Sequence, residues 1–123
     1  KPARLLVVDD ESNVAQGLAA LLEARGYQVE LAYDGRQVLE RLKRDPLPDL
    51  ILLDYGMPDV GGEQVLQRMR ENPRLRDLPV LLATAASISL ESVPRASGFL
   101  RKPYSREELF AMIRQLLEHR KRE

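Results

Sequence analysis

A chain of 123 residues, 44% of them apolar, is the size of one compact domain, 1–123, with its own core. Its 19 basic and 19 acidic side chains cancel, so no long-range field would draw it to nucleic acid or an acidic membrane, and direct binding to either is not expected. The absence of Cys excludes disulfides, thiolate zinc sites and thiol catalysis. Any metal would be held by oxygens or by the lone His119, and oxygens favour a hard cation such as Mg²⁺.

In chain order, Leu5-Leu6-Val7-Val8 is a short unbroken apolar run, the pattern of a strand buried on both faces. Val14, Leu18, Leu21 and Leu22 then fall on one helical face, with Ser12 as N-cap and Gly26 as the stop. Gln28 to Tyr33 alternates and predicts a half-exposed edge strand. After Asp34-Gly35, Val38, Leu39 and Leu42 mark a second helix. Leu50-Ile51-Leu52-Leu53 repeats the buried-strand pattern, and Val65, Leu66 and Met69 mark a helix that must stop before Pro73. Val80-Leu81-Leu82-Ala83 is a further strand and Phe99-Leu100 a short last one. Ser105 with Glu108 forms a capping box ahead of a helix striped by Leu109, Met112, Ile113, Leu116 and Leu117. Arg120-Lys121-Arg122 is expected to fray or lead into a linker. Alternating strands and helices predict an α/β fold: five parallel strands with helices on both faces. No apolar run approaches the ~18 residues of a membrane span, and Lys1-Pro2-Ala3-Arg4 is no signal peptide, so a cytoplasmic location is expected. The missing initiator Met suggests a trimmed chain or a piece of a longer protein.

In an open α/β sheet, ligands bind at the carboxyl ends of the strands. Four predicted strands end there in polar groups: Asp9-Asp10-Glu11, Asp54, Thr84 and Lys102-Pro103. Taken singly, an Asp is more often a turn former or cap, a Thr a strand residue and a Lys-Pro pair a loop. Together on one edge they describe a site. Converging carboxylates repel by several kcal/mol unless a cation compensates, and Mg²⁺ accepts one or two of them while leaving room for phosphate oxygens. Lys102 and Thr84 suit the remaining oxygens of a transferring phosphoryl group.

In combination and order, Leu5-Leu6-Val7-Val8-Asp9-Asp10-Glu11, Leu52-Leu53-Asp54 with Met57-Pro58 and Gly61-Gly62, Thr84-Ala85 and Lys102-Pro103 resemble the receiver domain of two-component response regulators over nearly the whole chain. The resemblance implies a flavodoxin-like doubly wound sheet of order 2-1-3-4-5. It implies that Asp54 accepts a phosphoryl group from a histidine kinase, a histidine phosphotransfer protein or a small donor. It further implies that Asp9 and Asp10 serve Mg²⁺ or Mn²⁺, with Asp10 the inner-sphere ligand, joined by Asp54 and the backbone carbonyl of Gly56. Lys102 would pair with the aspartyl phosphate across a cis bond to Pro103, Thr84 would be the switch hydroxyl, and Phe99 would hold the switch aromatic position. The role implied is a phosphorelay signalling module, with an attached or separate effector, and not a turnover enzyme.

Two departures stand out. Tyr55 follows the phosphoacceptor where an aliphatic residue is usual, so its phenol is expected to cover the site or meet a partner. Between Thr84 and Lys102 the chain is about one helical turn short, and Ala86-Ser87-Ile88-Ser89 with Pro94 predicts a short, irregular helix within 86–97. The dimer commonly built on that helix, the last strand and the last helix is therefore not expected in its usual form. Among rival functions, a haloacid-dehalogenase phosphatase needs an acid at position 56, where Gly stands. A flavodoxin would find Asp9-Asp10-Glu11 repelling its phosphate. A degenerate receiver that only docks partners is the remaining alternative. His119 is read as a helix-end charge, Arg101 as an outward strand residue, the other Arg residues as solvated partners of Glu, and Met57 and Met69 as core fillers.

Overall fold

The structure, a computed structural model, describes residues 2–56, 61–85 and 95–122, with side chains up to Arg120. Strands β1 (Arg4–Val8), β2 (Gln28–Ala32), β3 (Leu50–Asp54), β4 (Val80–Thr84) and β5 (Gly98–Arg101) form one sheet of order β2-β1-β3-β4-β5. Every pairing is parallel. The helices among the described residues are α1 (Ser12–Ala24), α2 (Gly35–Arg41), α3 (Gly62–Glu71) and α4 (Arg106–Arg122). None of them is long and apolar enough to cross a membrane. This is the parallel α/β arrangement that the strand and helix patterns predict, in the doubly wound, flavodoxin-like strand order that the resemblance implies. Both the irregular helix expected within 86–97 and Met57 fall largely or wholly outside the described residues, in 86–94 and 57–60.

The continuous apolar runs become strands because each side of the sheet is covered, so successive side chains all find a core. On one face Leu6, Val8, Ile51, Leu53, Val80 and Leu82 pack with α2 through Val38 and with α3 through Val65, Leu66 and Met69. On the other, Leu5, Val7, Leu50, Leu52 and Leu81 pack with Leu22 of α1 and Leu109 and Ile113 of α4. Helix starts follow local chemistry. Asp34 Oδ1 accepts the Gln37 N–H at 2.8 Å, and Ser105 and Glu108 form the reciprocal capping box at 3.0 Å each way. Gly26 sits at φ 97°, the left-handed stop beyond α1 that side chains resist.

Several expectations are corrected. The N-cap of α1 is Glu11, and Ser12 is already helical, its Oγ accepting from Gln16 Nε2 at 3.0 Å. The buried line of α1 is Ala15, Ala19 and Leu22, so Val14 lies one position off it and is exposed. The contact with the sheet is thus rotated toward the small residues Ala15 and Ala19. The basic tail is not loose: α4 runs to Arg122, and Arg120 Nη1 donates to the Asp49 carbonyl at 2.8 Å.

Nor do the arginines mainly serve Glu. Arg41 does pair with Glu30, yet it also donates to the carbonyls of Arg44 and Pro46. Arg70 donates to the carbonyls of Arg76 (2.8 Å), Leu78 (2.9 Å) and Arg95 (3.0 Å). Arg74 reaches the Leu42 carbonyl and Asp45. These guanidiniums satisfy loop carbonyls at the amino-terminal edge of the sheet, which short loops leave without partners. Asp45–Pro46 is cis, a feature the sequence pattern did not signal.

The shifted face of α1 is tested by paired truncations. Leu22→Ala should lower unfolding free energy in urea by about 2–5 kcal/mol, whereas Val14→Ala should stay within about 0.5 kcal/mol of wild type. Equal losses would place Val14 in the core.

Candidate functional site

β1 and β3 are neighbours in register, with Val8 opposite Leu53, so the acids that follow them are delivered side by side. Oxygens of Asp9, Asp10 and Asp54 lie within 4.8 Å of one another. Asp9 is buried, Asp54 half-buried and Asp10 exposed, which grades the cluster from core to rim. The Glu11 N–H donates to Asp9 Oδ1 at 2.9 Å, and the Gly56 N–H to Asp54 Oδ1 at 3.4 Å. From the end of β5, Lys102 Nζ stands 3.7 Å from Asp9 Oδ2 and 3.6 Å from Asp54 Oδ1.

Lys102 reaches the acids because β5 is held on β4: Thr84 pairs with Arg101, and the Lys102 N–H donates to the Thr84 carbonyl at 2.8 Å. The Lys102–Pro103 bond is cis. Thr84 is buried at the end of β4. Phe99 lies further back on β5, opposite Leu82 and packed against the α2/α3 side of the core, not among the acids. Gly56 is at the rim, exposed, two residues beyond Asp54. Arg101 is exposed, as an outward strand residue should be, and Met69 is buried.

The electrostatics are those of clustered acids. Burial pushes the Asp54 carboxyl above the ordinary aspartate range; Asp9 and Asp10 push the same way, while the Lys102 ammonium and the Gly56 N–H oppose them. Among the described residues one ammonium, that of Lys102, stands by the three carboxylates, which leaves them in excess. Its donors are all oxygens, the set a hard divalent cation accepts and a soft metal does not.

Two tyrosines border the site. Tyr104, just past Lys102-Pro103, has its phenol held protonated by burial, with Asp9 and Asp54 adding to the effect. Its only signal in the sequence is its place on the lysine's loop, and the strand-end argument passed it over. Tyr55 does not lie over the acids. Its hydroxyl donates to Glu63 Oε2 in the first turn of α3, at 3.4 Å.

This fold with this rim defines a class, the α/β receiver module, and sequence comparison gives the family. The response regulator receiver domain family matches residues 5–114, and the chain belongs to it: it is the receiver domain of a two-component response regulator. It is 41% identical over 120 residues to the response regulator MprA of Mycolicibacterium vanbaalenii, covering 94% of this chain and 51% of that protein. It is 37% identical over 122 residues to the response regulator Rre1 of Synechocystis, covering 96% and 52%. The chain thus spans about half the length of the curated relatives it matches. Among solved structures, the signal receiver domain of a signal transduction histidine kinase from Syntrophus aciditrophicus superposes with TM-score 0.85 at 32% identity, covering 95% of this chain and 91% of that one. The chemotaxis protein CheY4 of Vibrio cholerae gives TM-score 0.84 at 29% identity, covering 94% and 99%.

The raised Asp54 value has a signed consequence. The folded state binds that proton more tightly than the unfolded chain, so stability falls as pH rises from the ordinary aspartate value through the raised one. In metal-free buffer, Asp54→Asn should therefore raise the urea midpoint at pH 7, and the gain should shrink as pH is lowered below the usual carboxylate range. A gain independent of pH would contradict this account.

Proposed function

We propose that the chain accepts a phosphoryl group on Asp54 in a divalent-metal-dependent reaction and passes the change to a protein-interaction surface. One observation carries the reading: three strand-end carboxylates converge within 4.8 Å, with Lys102 placed between two of them, Asp9 and Asp54. Asp9, Asp10, Asp54 and the Gly56 carbonyl would hold Mg²⁺ or Mn²⁺. When bound, the cation supplies charge neutralisation for the incoming phosphoryl oxygens.

The chain's own groups do the rest. An Asp54 carboxylate oxygen attacks phosphorus, forming the acyl-phosphate P–O bond as the P–N bond of a phosphohistidine, or the P–O bond of a small donor, breaks. The electron pair of that bond leaves with the donor: a histidine imidazole takes a proton from solvent, and acetyl phosphate releases acetate as the anion. Asp54 needs no general base, because the reacting form is the carboxylate. Lys102 neutralises phosphoryl oxygens as a mobile point charge. Thr84 offers its hydroxyl to the same oxygens, and Phe99 follows through burial alone, since a phenyl ring donates no hydrogen bond. The added negative charge at the rim biases the β4–β5 edge between two arrangements.

On this reading the domain is phosphorylated and dephosphorylated but does not turn over a substrate. Its partners are a histidine kinase or histidine phosphotransfer protein and an effector. The greater length of its relatives is consistent with an effector in the same polypeptide, and the natural setting is the cytoplasm.

Incubation with Mg²⁺ and acetyl phosphate should add one phosphoryl group by intact-mass spectrometry, acid-stable and removed by hydroxylamine. Asp54→Asn should show no addition, and Lys102→Ala should gain it more slowly and lose most of the conformational response to it. Failure of the wild-type protein to gain mass would overturn the reading.

A further inference from the structure

Tyr55 leaves β3 at the position where the connection to α3 begins, and two contacts join it to the far end of that connection. Gly62 approaches so closely that a Cβ there would stand 3.2 Å from Tyr55 Cα and 3.5 Å from the Asp54 carbonyl oxygen. The missing side chain seats the first turn of α3 directly on the end of the phosphoacceptor strand. Beside this contact the Tyr55 hydroxyl donates to Glu63 Oε2 at 3.4 Å. Tyr55 is itself well anchored: its N–H donates to the Ala83 carbonyl at 3.0 Å, and its ring packs against the α2/α3 core. The start of α3 is fixed in turn by the Gly61 N–H, which donates to Gln64 Oε1 at 3.2 Å.

We infer that Tyr55, through its bond to Glu63, is a positioning residue for the cation site. It ties both ends of the connection that carries Gly56 and so holds the Gly56 carbonyl and the Asp54 carboxylate in register. The inference rests on the cation site proposed above. Its physical basis is population: a cation binds only the arrangement in which its oxygens converge, and apparent affinity falls in proportion as that arrangement is less populated. Glu63 is exposed, so the bond adds little to global stability, and its loss should register in cation affinity rather than in unfolding.

The test is calorimetric titration of the whole chain with magnesium chloride, without phosphodonor, alongside urea unfolding. Tyr55→Phe should weaken Mg²⁺ about threefold, the size expected for one modest hydrogen bond, with little change in urea midpoint. In a Glu63→Ala background the same substitution should have no effect, because the bond is already absent. In a Glu63→Gln background, which removes the charge but keeps an acceptor, the Tyr55→Phe effect should persist. Equal Mg²⁺ affinities in wild type and Tyr55→Phe, or the same loss in the Glu63→Ala background, would overturn the inference. Absence of any Mg²⁺ heat in wild type that Asp10→Asn abolishes would instead overturn the cation site itself.

Discussion

Three carboxylates with oxygens within 4.8 Å repel one another, and a free chain would separate them. What keeps them together is the backbone beneath: β1 and β3 are hydrogen-bonded neighbours buried on both faces, so Asp9 and Asp54 have nowhere else to go. The resulting excess of negative charge is a latent affinity. Lys102 meets part of it, and a divalent cation would meet the rest. On the reading proposed above, the unfavourable electrostatics of the rim and its affinity for a cation are one property seen from two sides.

The opposite edge of the sheet has the converse problem. There the loops leave carbonyls without partners, and Arg70, Arg74 and Arg120 supply donors from α3, the turn after it and α4. Because a guanidinium carries several donors in a rigid fork, one side chain can hold segments far apart in sequence: Arg70 joins α3 to the turn before β4 and to Arg95, ahead of β5. With the loops of this edge held by such bonds, the carboxyl edge, where Lys102 meets Asp9 and Asp54, is on the proposed reading the place where a change of charge would be converted into movement.

The chain order of strands and helices, the parallel sheet and the polar strand ends were legible without the structure, because they rest on short-range regularities. Unbroken apolar runs of four, helical spacing in Val65, Leu66 and Met69, and the Ser105/Glu108 box each carry their meaning locally. The same local reading misplaced Val14, since several rotations of α1 offer an apolar stripe and only docking against the sheet selects Ala15, Ala19 and Leu22. It also read the arginines as partners of Glu, because the loop carbonyls they serve belong to residues distant in sequence.

Tyr55 shows the same division. Its place beside Asp54 marked it as unusual, but adjacency along the chain does not say which way a ring turns, and the close approach of Gly62 and the acceptor on Glu63 turn it toward α3. Composition and periodicity alone determined the class of fold, the rim on which the acids would gather and the kind of cation their oxygens suit, since each follows from residue type and spacing. Only the tertiary structure decided which groups face one another across that rim, because contacts between distant segments are set by how helices seat on the sheet.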